Sequence, residues 1–202
     1  MKKSIIIILM LAVGVIVSPF VSAQSNTSLL YSVGVPMGAL KDHTSNISWR
    51  GVTFEWQKFI NPDVSVGVNL AYSVFYDYMG YGSYTNKNAT LTGHQYRYNN
   101  LFPMAVNGQY HFNAASTNPI KPYVGLGIGT IYDLRNTDMG MWTVEEENWH
   151  FMVSPEVGLI YDLNMATGIK FSVRYDNAFK TSDADAFGNI NLNLGFVFHG
   201  GN

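Results

Sequence analysis

Apolar and polar positions alternate along most of this chain. In residues 64–76, Val64, Val66, Val68, Leu70, Tyr72, Val74 and Tyr76 share one parity; Ser65, Gly67, Asn69, Ala71 and Ser73 share the other, until Phe75. Successive side chains of a β-strand point to opposite faces, so this segment predicts a strand with one apolar face and one small, polar face. It is about twice the usual strand length and can cross a bilayer with tilt. The pattern recurs in residues 29–40, 48–60, 96–112, 121–132, 149–161, 168–175 and 190–198. The last runs Ile190, Leu192, Leu194, Phe196, Phe198 against Asn191, Asn193, Gly195, Val197, His199. Eight such strands predict an all-β fold: an eight-stranded antiparallel transmembrane β-barrel, with the even strand number of single-chain bacterial barrels.

The connections sort by length. Residues 61–63 and 163–166 are tight turns, whereas 77–94, 133–148 and 177–188 read as long polar loops. Residues 41–46 are shorter but fall at the same end as the long loops, and 113–120 exceed a minimal turn. Short turns at one end and long loops at the other put the termini in the periplasm and the loops outside the cell. Aromatic residues gather near the strand ends. Trp56, Tyr110, Phe112, Tyr161, Phe196 and Phe198 predict a periplasmic girdle; Tyr72, Tyr76, Tyr96, Tyr98, Tyr132, Trp149 and Tyr175 an outer one.

The N-terminus reads as an export signal. Lys2 and Lys3 precede an apolar run over residues 5–17, and Val21-Ser22-Ala23 offers a cleavage site. The expected division is a signal peptide over residues 1–23 and an outer-membrane barrel domain over residues 24–202. With no cysteine after the apolar run, lipoprotein attachment is excluded. No later run is long enough for a membrane helix, and the alternative in lipid is a closed barrel.

A soluble lipocalin-like barrel would also have eight strands, but it keeps its bulky residues inside. Here the bulky parity carries roughly 40 large apolar groups, more than an eight-stranded interior holds. They require lipid. The other parity is mostly Gly, Ser, Asn, Thr and charge. The chain has 12 basic and 14 acidic residues and no basic patch, which argues against nucleic acid.

The segments KPYVGLGIGT, FINPDVSVGVNLAY, HFMVSPEVGLIYDL and INLNLGFVF resemble small outer-membrane β-barrel proteins of the OmpX/OmpW type, in the style common in Bacteroidetes. The resemblance covers residues 28–198 and implies fold and location far more than activity. Barrel-insertion signals in many such proteins end on Phe; here four residues follow Phe198. As partners it implies outer-membrane lipid, the barrel-assembly machinery during insertion, and an unidentified extracellular ligand. It also raises transport of small hydrophobic molecules, as proposed for OmpW-type barrels.

Six charged residues fall on the inward parity: Glu55, Arg97, Glu156, Lys170, Arg174 and Asp176. With a turn centred near Asn164, Glu156 is expected opposite Ser172, flanked diagonally by Lys170 and Arg174, with Glu55 reaching in from the far wall. Such a cluster fills and seals a narrow barrel. Phe75, Ile131, Met152 and Ile160 are apolar exceptions on the inward face. Gly125, Gly127 and Gly129 lack the following helix of a nucleotide loop. His150 and Ser154 share a parity near Glu145, Glu146 and Glu147, but no recognisable catalytic motif results, and the histidines show no metal spacing. The expectation is therefore a non-enzymatic protein without cofactor or metal. Its role is structural or one of surface interaction; hydrophobic transport is the alternative, and lipid A modification a distant third.

Overall fold

The computed structural model describes residues 24–86, 89–112, 118–139, 143–182 and 184–201, apart from the side chains of 84–86 and 89–91. The expected signal segment and most of the 113–120 connection lie outside the described residues. Eight strands form one closed antiparallel barrel in sequential order: β1 Ser25–Gly38, β2 Ser48–Asn61, β3 Val64–Asn86, β4 Ala89–His111, β5 Ile120–Asp138, β6 Thr143–Asp162, β7 Thr167–Ala178 and β8 Phe187–Gly200. β8 closes onto β1 over fourteen paired positions, from Ser25↔Gly200 to Gly38↔Phe187. No backbone edge is left open between first and last strand, which a membrane demands.

The alternation in sequence becomes an inside and an outside. Ser28, Ser32, Thr53, Asn69, Ser172 and Asn193 are buried in the barrel, while Leu29, Val52, Leu70, Leu126, Phe151 and Leu194 stand outward and exposed. An apolar surface this continuous is stable only against lipid. The girdle residues Tyr110, Phe112, Tyr161, Phe196, Phe198, Tyr76 and Trp149 are all exposed on that surface.

Two short connections are built alike. The Asn61 side-chain oxygen accepts from the backbone N–H of Asp63 and Val64, and that of Asn164 from Ala166 and Thr167. An Asn side chain standing in for a backbone carbonyl closes a tight turn locally.

The opposite end differs from the sequence expectation. Residues 77–86, 89–94, 133–138 and 143–148 belong to strands instead of open loops. β3 and β4 stay paired from Asp77↔Arg97 to Asn86↔Ala89, and β5 and β6 from Asp133↔Asn148 to Asp138↔Thr143. Beyond the bilayer both faces of a hairpin meet water, so the alternation fades although the ladder continues. Between β1 and β2 a short helix, α1 Ala39–His43, replaces part of the expected 41–46 loop. Gly38 enters it at φ 59°, a region open to glycine, and Leu40 is fully buried.

Candidate functional site

The interior is filled in layers. At the periplasmic end the His199 ring bridges Asn26 and Asp162, at 2.8 and 3.1 Å, and Lys121 pairs with Asp162 at 2.9 Å. This lock uses a residue beyond the terminal Phe198. Its signal in the sequence was parity alone: His199 falls inward with Asn191 and Val197.

The charged layer lies above. Lys170, on β7, donates to Glu55, on β2, across the lumen, and its ammonium is 3.9 Å from Glu156. Asn69 donates to the other Glu55 oxygen at 2.9 Å, and the Tyr123 hydroxyl donates to Glu156. The Lys170 ammonium also lies 4.6 Å from the centre of the Tyr123 ring. Arg174 pairs with Asp176 at 2.9 Å, and Asn191 donates to the second Asp176 oxygen at 2.7 Å. All five charged groups are nearly inaccessible. Charges in such surroundings persist only when paired and hydrogen-bonded.

Five of the six inward charges therefore meet in this layer. The register differs from expectation by two residues: Glu156 faces Arg174 directly, and Gly158 faces Ser172. Arg97 does not join them. It sits at the outer mouth, between Asp77 and Thr137, and donates to the His43 carbonyl at 3.4 Å. Near the charged layer lies a gap of about 10 Å³, bounded by Asn69, Asn107, Ser154, Glu156 and Arg174 among others. That is room for about one water molecule.

A third layer is apolar, and sequence reasoning found less than half of it. Phe75, Ile131 and Met152 were visible as parity exceptions; the structure adds Leu40, Leu101, Ala178 and Phe187 in one buried cluster. Ile160 belongs instead to a lower group with Tyr123 and Val197. Leu40 arrives from α1, so no strand pattern could have revealed it. His150 is buried here with its ring 5.0 Å from Phe187, and its Nδ1 bonds the Phe179 carbonyl at 2.9 Å. Its Nε2 and the Ser154 hydroxyl have no hydrogen-bond partner among the described residues, so no serine–histidine pair forms. Among the described residues no group of three acidic, His or Cys side chains could hold a metal.

Above this septum the barrel opens into a cup of about 490 Å³, lined by His43, Gln95, Arg97, Arg135, Thr137, Glu146 and neighbours. Arg135 donates to Asp133 at 2.7 Å and lies 5.8 Å from the Phe187 ring, seated on the septum. The His43 imidazole bonds Asn99 and, at 3.2 Å, Thr137. Burial holds it below its usual pKa, the Asn99 bond opposes this, and Arg135 and Arg97 push the same way as burial.

Comparison with known proteins bears on fold and place. No curated protein matches the chain. The structure is similar to Ail, the attachment invasion locus protein of Yersinia pestis, solved in complex with the heparin analogue sucrose octasulfate: TM-score 0.53, 12% identity, 89% of this chain and 100% of that one. It is similar to Neisserial surface protein A, with TM-score 0.53, 13% identity and 87% and 96% coverage. It is similar also to the outer membrane protein OprG of Pseudomonas aeruginosa, with TM-score 0.52, 11% identity and 90% and 97% coverage. At these identities the likeness concerns fold alone. The model of the outer membrane protein beta-barrel domain matches residues 7–198. The chain belongs to that family, and the protein is an integral β-barrel of the bacterial outer membrane.

Proposed function

We propose that this protein is a sealed, non-enzymatic barrel acting at the cell surface, with its hairpins and outer cup as the working parts. One observation carries the reading. Side chains occupy the lumen at the charged layer and again at the apolar septum, and the cavity of about 490 Å³ lies at the outer mouth. A solute entering the cup from outside meets Leu40, Phe75 and Phe187 as a floor. The charges of the inner layer are consistent with filling: Glu55 pairs with Lys170 and Asp176 with Arg174, one Arg174 nitrogen facing the small gap without a protein partner. The Ail complex with the heparin analogue sucrose octasulfate gives one instance of this fold with a bound ligand.

A second reading, passage of small apolar molecules, rests on a different observation. The β6–β7 ladder runs from Val153↔Asn177 straight to Glu156↔Arg174, leaving Ser154 and Pro155 unpaired with Asp176 and Tyr175. Pro155 has no N–H to give, and such a gap, which the β3–β4 ladder repeats beside Pro103 between Leu70↔Met104 and Ser73↔Leu101, is a weak seam through which a lipid-soluble molecule would leave sideways.

Reconstitution separates the two. In planar bilayers the purified protein is expected to show no ionic openings, and liposomes carrying it are expected to take up a small apolar dye no faster than empty ones. Reproducible openings would overturn the sealed reading. Protein-dependent dye entry without conductance would favour the lateral route.

A further inference from the structure

We propose that the outer face of β2–β4, around Trp49 and Arg50, docks the phosphorylated sugar headgroup of an outer-leaflet glycolipid. The inference starts from a break in the wall. Ser32 pairs with Gly51 and Gly34 with Ser48, so β2 has one more residue than β1 between these pairs. A bulge disrupts alternation and re-aims side chains. Here Trp49 and Arg50, adjacent in sequence, both point outward and are exposed, Trp49 by 66%. The Tyr31 hydroxyl donates to the Trp49 carbonyl and braces the bulge from β1.

The depth of Arg50 decides what it meets. It pairs with Val74, ten residues along β3 from Val64, where the apolar face begins. At strand rise and barrel tilt that is about 25 Å, the height of the apolar band. Arg50 therefore stands at the outer border of the hydrocarbon, on the lipid side. No carboxylate among the described residues pairs with it. A guanidinium there has its counter-charge in the lipid layer, and phosphate matches its paired donors.

Beside Arg50 the outward face continues as rings. Tyr76 packs on Tyr98 at 5.0 Å, Tyr78 on Tyr96 at 5.2 Å, and Tyr81 meets His94 edge-on at 5.4 Å. The Tyr78 hydroxyl and His94 Nδ1 share a hydrogen bond of 2.6 Å. A girdle needs one ring of aromatics; this ladder climbs from Tyr76 at the hydrocarbon edge into the layer where headgroups lie. Flat ring faces suit the C–H faces of sugars, and hydroxyl tips bond their oxygens. The surface is continuous with the lipid-facing wall, which places its occupant in the same leaflet.

The test uses the mature protein in phosphatidylcholine nanodiscs containing a minority of either lipid A or phosphatidylglycerol, followed by native mass spectrometry of retained lipid. Lipid A is expected to be retained about five- to tenfold over phosphatidylcholine, and above phosphatidylglycerol. Arg50→Gln and Tyr78→Ala should each remove most of this preference, while Lys180→Gln, on an exposed loop, should leave it unchanged. Heat-shifted gel mobility verifies that each variant is folded. Equal retention of lipid A and phosphatidylcholine overturns the proposal, as does a preference that survives both patch variants. Phosphatidylglycerol matching lipid A overturns the sugar half. Dimers abolished by Arg50→Gln would assign the face to a second copy and overturn it too.

Discussion

Replacing Lys170 by Met is expected to lower the stability of the barrel by about 3–5 kcal/mol, the usual cost of stranding a buried charge. Lys170 is the only cation within ion-pair distance of Glu55 among the described residues, and it lies 3.9 Å from Glu156. Without it, Glu55, Glu156 and Asp176 share one cation, Arg174, already engaged by Asp176. Burial is so complete that bulk water cannot take over, and in these surroundings an unpaired carboxylate is far costlier than at a surface. Urea unfolding in micelles, followed by tryptophan fluorescence or by loss of heat-shifted mobility, measures the effect. The double variant Glu55→Gln with Lys170→Met should recover much of the loss, because a neutral pair of similar size removes the stranded charge. A Lys170→Met protein as stable as the parent would show that the layer is wet and the lumen open.

The second large effect lies on the other face. Leu126→Arg is expected to cost about 2–4 kcal/mol, the penalty for a cation on a barrel wall near the bilayer midplane. Leu126 is 52% exposed, six residues into β5 from Ile120, and so close to mid-depth. In a soluble barrel the same exposed position would tolerate arginine with little change. Met165, 97% exposed in the β6–β7 turn, gives the contrast. Met165→Arg makes a similar change outside the hydrocarbon and should cost no more than about 1 kcal/mol. Folding into lipid vesicles, with stability read by urea titration, compares the two; equal values would remove the lipid from the outside of the wall.

These two faces were legible in the sequence because the bilayer enforces them. Each strand must show lipid an apolar residue at every second position, so Val64 to Tyr76 announces both a strand and its orientation. The legible part stops where the lipid stops. Tyr78, Tyr96 and Tyr98 read as a girdle or a loop, although they belong to hairpins that continue the barrel walls outward. The charged layer was legible as a set of inward residues, since charge on that parity has nowhere else to go. Its pairing was not. A register shift of two residues keeps every side chain on its face yet moves Glu156 from Ser172 to Arg174, and turn length alone does not settle that choice. Arg97 shares the parity of the cluster but lies far along its strand, so parity without depth placed it in the wrong layer. The septum was hidden for another reason. Its central residue, Leu40, comes from a five-residue helix too short for any periodicity, and Leu101 is a single inward leucine beside outward Phe102.

The central claim is that the lumen is closed beneath an open cup, and single-cysteine labelling tests it most directly. The chain has no cysteine of its own, so each introduced thiol reports alone. Thr137→Cys, in the cup wall, is expected to react with a membrane-impermeant maleimide added to intact cells. Asn107→Cys, below the septum, is expected to stay unlabelled in cells and in reconstituted protein until the barrel is unfolded. Labelling of Asn107→Cys in the folded barrel at a rate near that of Thr137→Cys would contradict the sealed lumen and return the protein to the class of open channels.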